Sequence, residues 1–334
     1  MTRPGRPRLG FAGLGWIGRN RLEAIARSGA ADVAALFEPA ADAAQQAGQA
    51  APEAVLVPRF EDLLAPDIDG IVIATPNALH ASQTIAALRA GKAVFCQKPL
   101  GRSAAETRRV IAAAREANRL LHVDLSYRFT AAMERIRGLI RGGALGRIYA
   151  IEAVFHNAYG PAKPWFYDMS LAGGGCLLDL GIHLVDLALW SLEFPAVTHV
   201  AGEVLNRAAP RHIASQQVED YAAAQVGLAG PVSFQLACSW HAPAGCDAQI
   251  GMTFFGTEGG AAFANVNGSF YDFTATLFRP DRSREIIVAP PDAWGGRAAI
   301  AWSRQLATSA AFDPEIENLN RVAETLDRIY GRTP

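Results

Sequence analysis

The chain has 334 residues, half of them hydrophobic, with a formal net charge of −1; that is more chain than one core holds, so two domains are expected. Near-neutral charge, with no basic patch interleaved with aromatics, gives no attraction toward nucleic acid or an anionic membrane, and neither partner is expected. The cysteines Cys96, Cys176, Cys238 and Cys246 form no C-x-x-C pair, the usage of reduced thiols in a cytoplasmic protein rather than of a disulfide framework.

Arg3, Arg6 and Arg8 ahead of residues 9–18 imitate a secretory leader, but four glycines cut that apolar run and no small-residue cleavage site follows. No stretch nears the ~18 consecutive apolar residues of a membrane span. Residues 1–124 then alternate short β-branched runs with alanine-rich amphipathic stretches, the βαβ rhythm of a doubly wound parallel sheet. Strands are expected over 8–12, 33–38, 55–57, 68–74, 93–97 and 120–124, with the clearest helices over 77–90 and 103–118. Ser103 followed by Glu106 reads as a capping box at the start of the second of these helices.

The pattern changes over residues 125–334, the expected second domain. Helices are expected over 131–141 and 175–191, and alternating strands over 147–155, 197–204, 222–227, 232–240, 250–255 and 270–277. A closing helix is expected over 314–330. This reads as an α+β domain on a mainly antiparallel open sheet. Two long loops, 157–173 and 206–218, are candidate carriers of function.

The first strand runs into Gly13-Leu14-Gly15-Trp16-Ile17-Gly18 and a helical run. Glycines there allow a tight turn that aims free backbone N–H groups and a positive helix end at a pyrophosphate. Glu38 falls twenty residues after Gly18, where a carboxylate accepts both ribose hydroxyls of NAD and repels the 2′-phosphate of NADP. No arginine lies between Arg27 and Arg59, so NAD is expected over NADP. Thr75-Pro76-Asn77 ends the fourth strand at the carboxyl edge where such sheets bind ligands. His80, at a helix start, is either a cofactor contact or a cap or surface histidine, and Trp16 either covers the dinucleotide or packs a domain interface.

Only Lys92, Lys98 and Lys163 of the 31 basic residues are lysine. A lysine retained in so arginine-rich a chain can do what arginine cannot, which is release its proton when desolvated. Lys98 closes an apolar strand, and Pro99 holds it in extended geometry. A second segment starts at Gly173-Gly174-Gly175 and places Asp179, His183, Asp186 and Trp190 at i, i+4, i+7 and i+11 of an otherwise apolar helix. Buried carboxylates and an imidazole cost several kcal/mol unless they pair or line a polar cavity. The stripe therefore braces a buried pair of His183 and Asp186 or faces a site in which Asp179 orients His183 as an acid/base. Asp179 and His183 lack a third ligand at a recognisable spacing, so no metal is expected.

The fingerprint, Thr-Pro-Asn, the Lys-Pro turn and the GGG-x3-D-x3-H-x2-D-x3-W segment, in this order, resemble the Gfo/Idh/MocA oxidoreductases, the glucose–fructose oxidoreductase and inositol dehydrogenase family. The resemblance covers the whole chain and implies a Rossmann domain followed by a sheet domain that mediates homodimers or homotetramers. It also implies a catalytic trio of Lys98, Asp179 and His183, with His183 as acid/base and Lys98 holding the reacting hydroxyl. Where the family writes Glu-Lys-Pro, this chain has Gln97 before Lys98. Gln97 can still hydrogen-bond the nicotinamide ribose, but a negative charge beside the lysine is gone.

Residues 159–168 put Lys163, Trp165, Tyr167 and Asp168 just before the glycine run. Aromatic faces with a lysine and a carboxylate suit a sugar or cyclitol ring, as they suit a packed loop; Arg128 is a further substrate candidate. The reading is an NAD-dependent dehydrogenase acting on CH–OH groups. Two alternatives stand beside it: a glycosidase that oxidises its sugar transiently, and a non-catalytic regulator that senses dinucleotide or sugar.

Overall fold

The structure, a computed structural model, describes residues 5–206, 209–210 and 217–332. The chain forms two compact units, Met1–Ser126 with Gly295–Glu317, and Tyr127–Trp294 with Asn318–Pro334. The second run of the first unit departs from the single division after residue 124 read from the sequence.

In the first unit six parallel strands lie in the order β3-β2-β1-β4-β5-β6. They are β1 (Arg8–Ala12), β2 (Asp32–Phe37), β3 (Val55–Leu56), β4 (Gly70–Ile73), β5 (Ala93–Cys96) and β6 (Leu121–Val123). That order reverses between β1 and β4, which makes their carboxyl ends the ligand-binding edge of such a sheet. Every residue of β4 and β5 is buried, as their lack of polar alternation requires. The linking helices are α1 (Trp16–Ser28), α2 (Ala41–Ala50), α3 (Asn77–Arg89) and α4 (Ala104–Ala117). Ser103 caps α4 by accepting from the Glu106 N–H at 3.2 Å. The Glu106 carboxylate, however, accepts from the Arg102 N–H (2.8 Å) and guanidinium, so the box closes one residue early. The extra charge-assisted bond to Arg102 explains that choice.

Helix α8 (Arg297–Thr308) belongs to this unit although the sequence places it far from β5. Its Trp302 is fully buried, with its ring centroid 5.7 Å from that of Phe95. A Cβ at Gly70 would come within 2.8 Å of Leu306 and 2.9 Å of Trp302, so the glycine of β4 makes room for the helix. Burying one such side chain contributes roughly 1.5–3 kcal/mol. Lys92 is a structural lysine: its ammonium donates to the carbonyls of Ala65 (2.6 Å) and Ile68 (2.7 Å).

The second unit holds a sheet in the order β15-β14-β13-β12-β7-β11-β10-β8-β9. Its strands are β7 (Ile148–Asn157), β8 (Val197–Asn206), β9 (Ala209–Pro210), β10 (Tyr221–Leu228), β11 (Val232–Ser239), β12 (Ala248–Gly256), β13 (Gly260–Asn265), β14 (Phe273–Phe278) and β15 (Arg284–Val288). All neighbours run antiparallel except β7 and β11. Alternation is clean along β10, where Ala222, Ala224, Val226 and Leu228 are buried. Apart from β9, loop 206–218 lies mostly outside the described residues. The helices are α5 (Ala131–Arg141), α6 (Met169–Ala172), α7 (Ile182–Ser191) and α9 (Leu319–Ile329), the last preceded by a 3-10 turn over Pro314–Asn318. Contrary to the sequence reading, Met169–Ser191 is long and apolar enough to cross a membrane by length and composition, but 89% of its most apolar window is buried. Its apolar side chains form the core beneath the sheet.

Candidate active site

At the carboxyl edge of the first unit the fingerprint glycines are needed for space. Gly13 has φ +83°, and a Cβ there would lie 2.5 Å from the Ala74 carbonyl oxygen. A Cβ on Gly18 would lie 2.0 Å from the Gly13 carbonyl oxygen, so helix and turn could not meet. Gly15 precedes α1 as its cap, Ile17 is half-buried, and Trp16 stands 58% exposed rather than packed. The Glu38 carboxylate accepts the Leu14 N–H at 2.6 Å and the Ala40 N–H at 2.9 Å, which sets it against the fingerprint turn. A turn that only glycine can make, free of side chains and flanked by a carboxylate, fits a dinucleotide.

One strand further, Thr75 donates its hydroxyl to Gln83 (2.7 Å), and Asn77 opens α3 with its side chain buried. His80 is a buried tie rather than a surface histidine. Its ring nitrogens lie 2.7 Å from the Thr75 carbonyl and 2.7 Å from the Pro99 carbonyl, joining the loops after β4 and β5. Burial pushes its pKa down against the pull of those two carbonyls. Lys98, between Gln97 and Pro99, is half-buried at the end of β5. Burial likewise pushes the Cys96 thiol up to about 12, so it stays an inert core group.

Gln97 faces a network that the sequence did not disclose. Its amide donates to Asp124, which also receives the Arg21 guanidinium at 2.5 Å and the Ser126 hydroxyl. The Arg21 and Asp124 side chains are 6% and 0% exposed. The negative charge missing at position 97 is thus present one hydrogen bond away, on Asp124.

In the second unit the expected regular helix over 175–191 is broken. A π-turn over Leu177–Gly181 precedes α7, so Asp179 and His183 leave strict i, i+4 register. The turn is pressed against β11, where a Cβ on Gly181 would lie 3.1 Å from the Cys238 sulfur. Asp179 accepts the Trp240 indole N–H at 3.2 Å. The buried His183 ring meets the Tyr127 ring edge-on, with centroids 4.8 Å apart. Burial, and then the Asp179 charge, push the Tyr127 phenol up, so it stays protonated. Asp186, 1% exposed, pairs with Arg128, which donates through Nε at 2.8 Å and through its terminal nitrogen as well. Arg128 also lies over the Phe194 ring at 5.4 Å and the Trp190 ring at 5.8 Å, so its guanidinium is engaged inside the fold. The four-residue stripe therefore splits: Asp186 and Trp190 meet arginines, while Asp179 and His183 meet aromatic rings.

The aromatic loop reaches the same cluster at two residues, Phe166 and Tyr167, both edge-on to Trp240. Tyr167 packs its ring edge against Trp240, with centroids 5.5 Å apart. Trp165 is half-buried and stacks on Phe166 at 3.8 Å, Lys163 precedes the short turn Pro164–Tyr167 and is exposed, and Asp168 caps α6 by accepting the Ser170 N–H at 2.8 Å. Sequence reasoning missed Trp240 and Tyr127, since one sits at a strand end and the other in a 3-10 turn with no motif around it. Among the described residues no cluster of three or more His, Cys, Asp or Glu could hold a metal.

Comparison with known proteins matches residues 8–125 to an oxidoreductase family with an NAD-binding Rossmann fold, and residues 133–262 to the GFO/IDH/MocA C-terminal domain. The chain is 33% identical over 245 residues to a 1,5-anhydro-D-fructose reductase of Ensifer adhaerens, covering 70% of this chain and 68% of that protein. It is 38% identical over 140 residues to a levoglucosan dehydrogenase of Pseudarthrobacter phenanthrenivorans, an alignment spanning 40% of this chain and only 36% of that enzyme. Among solved structures, a levoglucosan dehydrogenase in complex with NADH and L-sorbose superposes with a TM-score of 0.83 at 22% identity, over 97% of this chain and 96% of the other. At that identity the likeness shows a shared fold.

Proposed function

The chain belongs to the GFO/IDH/MocA oxidoreductases, and on that premise we propose that it moves hydride between a secondary alcohol of a sugar or cyclic polyol and NAD. The observation that carries the reading is the pairing of Asp179 with Trp240 and of His183 with Tyr127 at a break in a buried helix. Polar groups are held there at a cost that packing alone does not explain. When bound, the nicotinamide supplies the hydride acceptor or donor. Gly13, Gly15 and Gly18 cradle the pyrophosphate with Ile17 opening the helix, and Glu38 takes the ribose hydroxyls, which favours NAD over NADP. Thr75, Pro76, Asn77, Gln97 and the exposed Trp16 border the dinucleotide, and His80 fixes the loop that carries Lys98.

In the forward direction His183 takes the proton of the reacting hydroxyl as hydride leaves the same carbon, which leaves a ketone. Lys98 holds that hydroxyl oxygen, and Asp179 orients His183 and stabilises its charged form. Reduction of a keto sugar is the same sequence reversed. Tyr167, through Trp240, and Trp165 offer aromatic faces to the sugar ring, with Lys163 and Asp168 at the loop's exposed end. Arg128 acts indirectly by neutralising Asp186.

The test is absorbance at the NADH band with NAD and a pool of D-glucose, levoglucosan and myo-inositol. Sustained NADH formation that disappears in Lys98→Met and in His183→Ala is expected. Turnover that survives both substitutions refutes the roles given to these residues. A flat trace from protein shown separately to bind NAD shifts weight to a transient-oxidation glycosidase or to a sensor. On one face of the second unit's sheet Ala150, Val154, Ala237 and Thr253 stay partly accessible, and Glu152, Gln225 and Gln235 are exposed, an uncovered face that suits a homodimer or homotetramer. Light scattering that returns the 35.6 kDa monomer mass would overturn that assembly.

A further inference from the structure

Glu219, just ahead of β10, is 0% exposed, yet it is a carboxylate bordered by glycines and a tyrosine. Its Oε1 accepts three hydrogen bonds, from the Gly175 N–H (2.9 Å), the Leu177 N–H (3.0 Å) and the Tyr330 hydroxyl (2.7 Å). Its backbone carbonyl accepts the intervening Cys176 N–H at 3.1 Å. Three successive amides at the start of the catalytic segment, groups that a helix start leaves without partners, are thus all met by one residue. The glycine run is explained by the same contact. A Cβ on Gly175 would lie 1.9 Å from the Glu219 carbonyl oxygen, and a Cβ on Gly174 would lie 2.2 Å from the Tyr330 hydroxyl.

The connection to chemistry is one peptide long. The Gly175 carbonyl accepts the Asp179 N–H at 2.9 Å, so the peptide gripped by Glu219 also sets where the π-turn places Asp179. The other carboxyl oxygen, Oε2, is buried with no hydrogen-bond partner among the described residues. An unmet buried acceptor destabilises the fold, a cost that an apolar residue of the same shape would avoid. Burial pushes the Glu219 carboxyl up, against the pull of the Tyr330 hydroxyl and the two amides. A residue kept in so unfavourable a place is kept for geometry.

We propose that Glu219, backed by Tyr330, is a positioning residue that fixes the turn carrying Asp179 and thereby His183. The proposal rests on the oxidoreductase reading for its effect on turnover, so it needs one readout that turnover does not supply. Three variants are compared with the parent: Tyr330→Phe, Glu219→Ala and Glu219→Gln. With NAD and whichever of D-glucose, levoglucosan and myo-inositol the parent oxidises, Tyr330→Phe and Glu219→Ala are expected to lower kcat on the order of 10- to 100-fold, the scale of a misplacement near 1 Å. The KM for NAD stays unchanged, and Glu219→Gln, which keeps an acceptor oxygen, retains most of kcat. Because Glu219→Ala removes the three hydrogen bonds to Oε1 and can unfold the unit, Tyr330→Phe, which removes one hydroxyl, decides. The second readout is the His183 ring signals in NMR, which are expected to shift in Tyr330→Phe. Parent-like kcat and parent-like His183 signals in folded Tyr330→Phe overturn the proposal, as does a kcat loss matched by an equal loss of NAD affinity. If the parent oxidises none of these sugars, the proposed reaction fails on that result, and the His183 signals alone judge the clamp.

Discussion

Replacing Gln97 by glutamate restores the residue usual in the Glu-Lys-Pro pattern, and in this chain it is expected to be harmful in a pH-dependent way. Gln97 is 7% exposed, and its amide donates to an Asp124 carboxylate already shared with Arg21 and Ser126. Gln97→Glu sets a second carboxylate against the first. Two like charges ~3 Å apart repel by roughly 5 kcal/mol at an effective dielectric near 20. Arg21 returns only part of this, because its guanidinium is committed to Asp124. The introduced carboxyl can instead keep its proton and donate to Asp124 as the amide does. Holding that proton at pH 7, against an ordinary glutamate value near 4.3, costs about 3.7 kcal/mol, which caps the loss. The folded state then binds one proton more than the unfolded chain, so relative stability falls as pH rises. The difference between parent and variant should be small near pH 5 and grow by about 1.4 kcal/mol per pH unit until the repulsion limit is met. Urea unfolding of both proteins at pH 5, 6, 7 and 8 measures it. A difference that is flat across that range, or that grows as pH falls, would refute the Asp124 contact as the cause.

Arg128→Met leaves Asp186 buried against an apolar side chain, and loss of about 3 kcal/mol in urea unfolding is expected, the low end for a broken buried pair because Arg128 is 23% exposed. A loss under about 1 kcal/mol, the scale of a surface pair, would show that Asp186 is supported otherwise. His80, buried between two carbonyls, has its pKa held below the ordinary 6.5, so its protonation favours the unfolded chain. Stability present above that value should fall as pH drops below it, and His80→Gln should lose this component; identical changes of unfolding midpoint between pH 7.5 and 5.5 in both proteins would exclude it.

The local readings that held share one property, which is that their cause is local. The strand into Gly13 and the turn glycines are neighbours in sequence, and Glu38, twenty residues after Gly18, follows the adjacent parallel strand, so the βα repeat alone sets it beside the turn. The apolar character of β4 and β5 marks them as central without any further information. Where contacts join distant residues, the reading ran out. Trp302 joins Phe95 across more than two hundred residues, and its helix carries nothing in its own pattern that names its sheet. Regular helical spacing likewise placed Asp179 over His183, whereas a π-turn ends at Gly181, whose lack of a side chain leaves room for Cys238 of β11.

The sequence by itself determined the parallel sheet, its dinucleotide turn, the buried apolar segment with its polar stripe and the family to which they belong, because periodicity and glycine placement act over a few residues. The tertiary structure alone decided which partner each buried polar group meets: Asp186 with Arg128, Asp179 with Trp240, Gln97 with Asp124, and Glu219 with the glycine run. The physical reason is desolvation. A buried charge or amide must find a partner wherever the fold brings one, and that partner comes from any point along the chain.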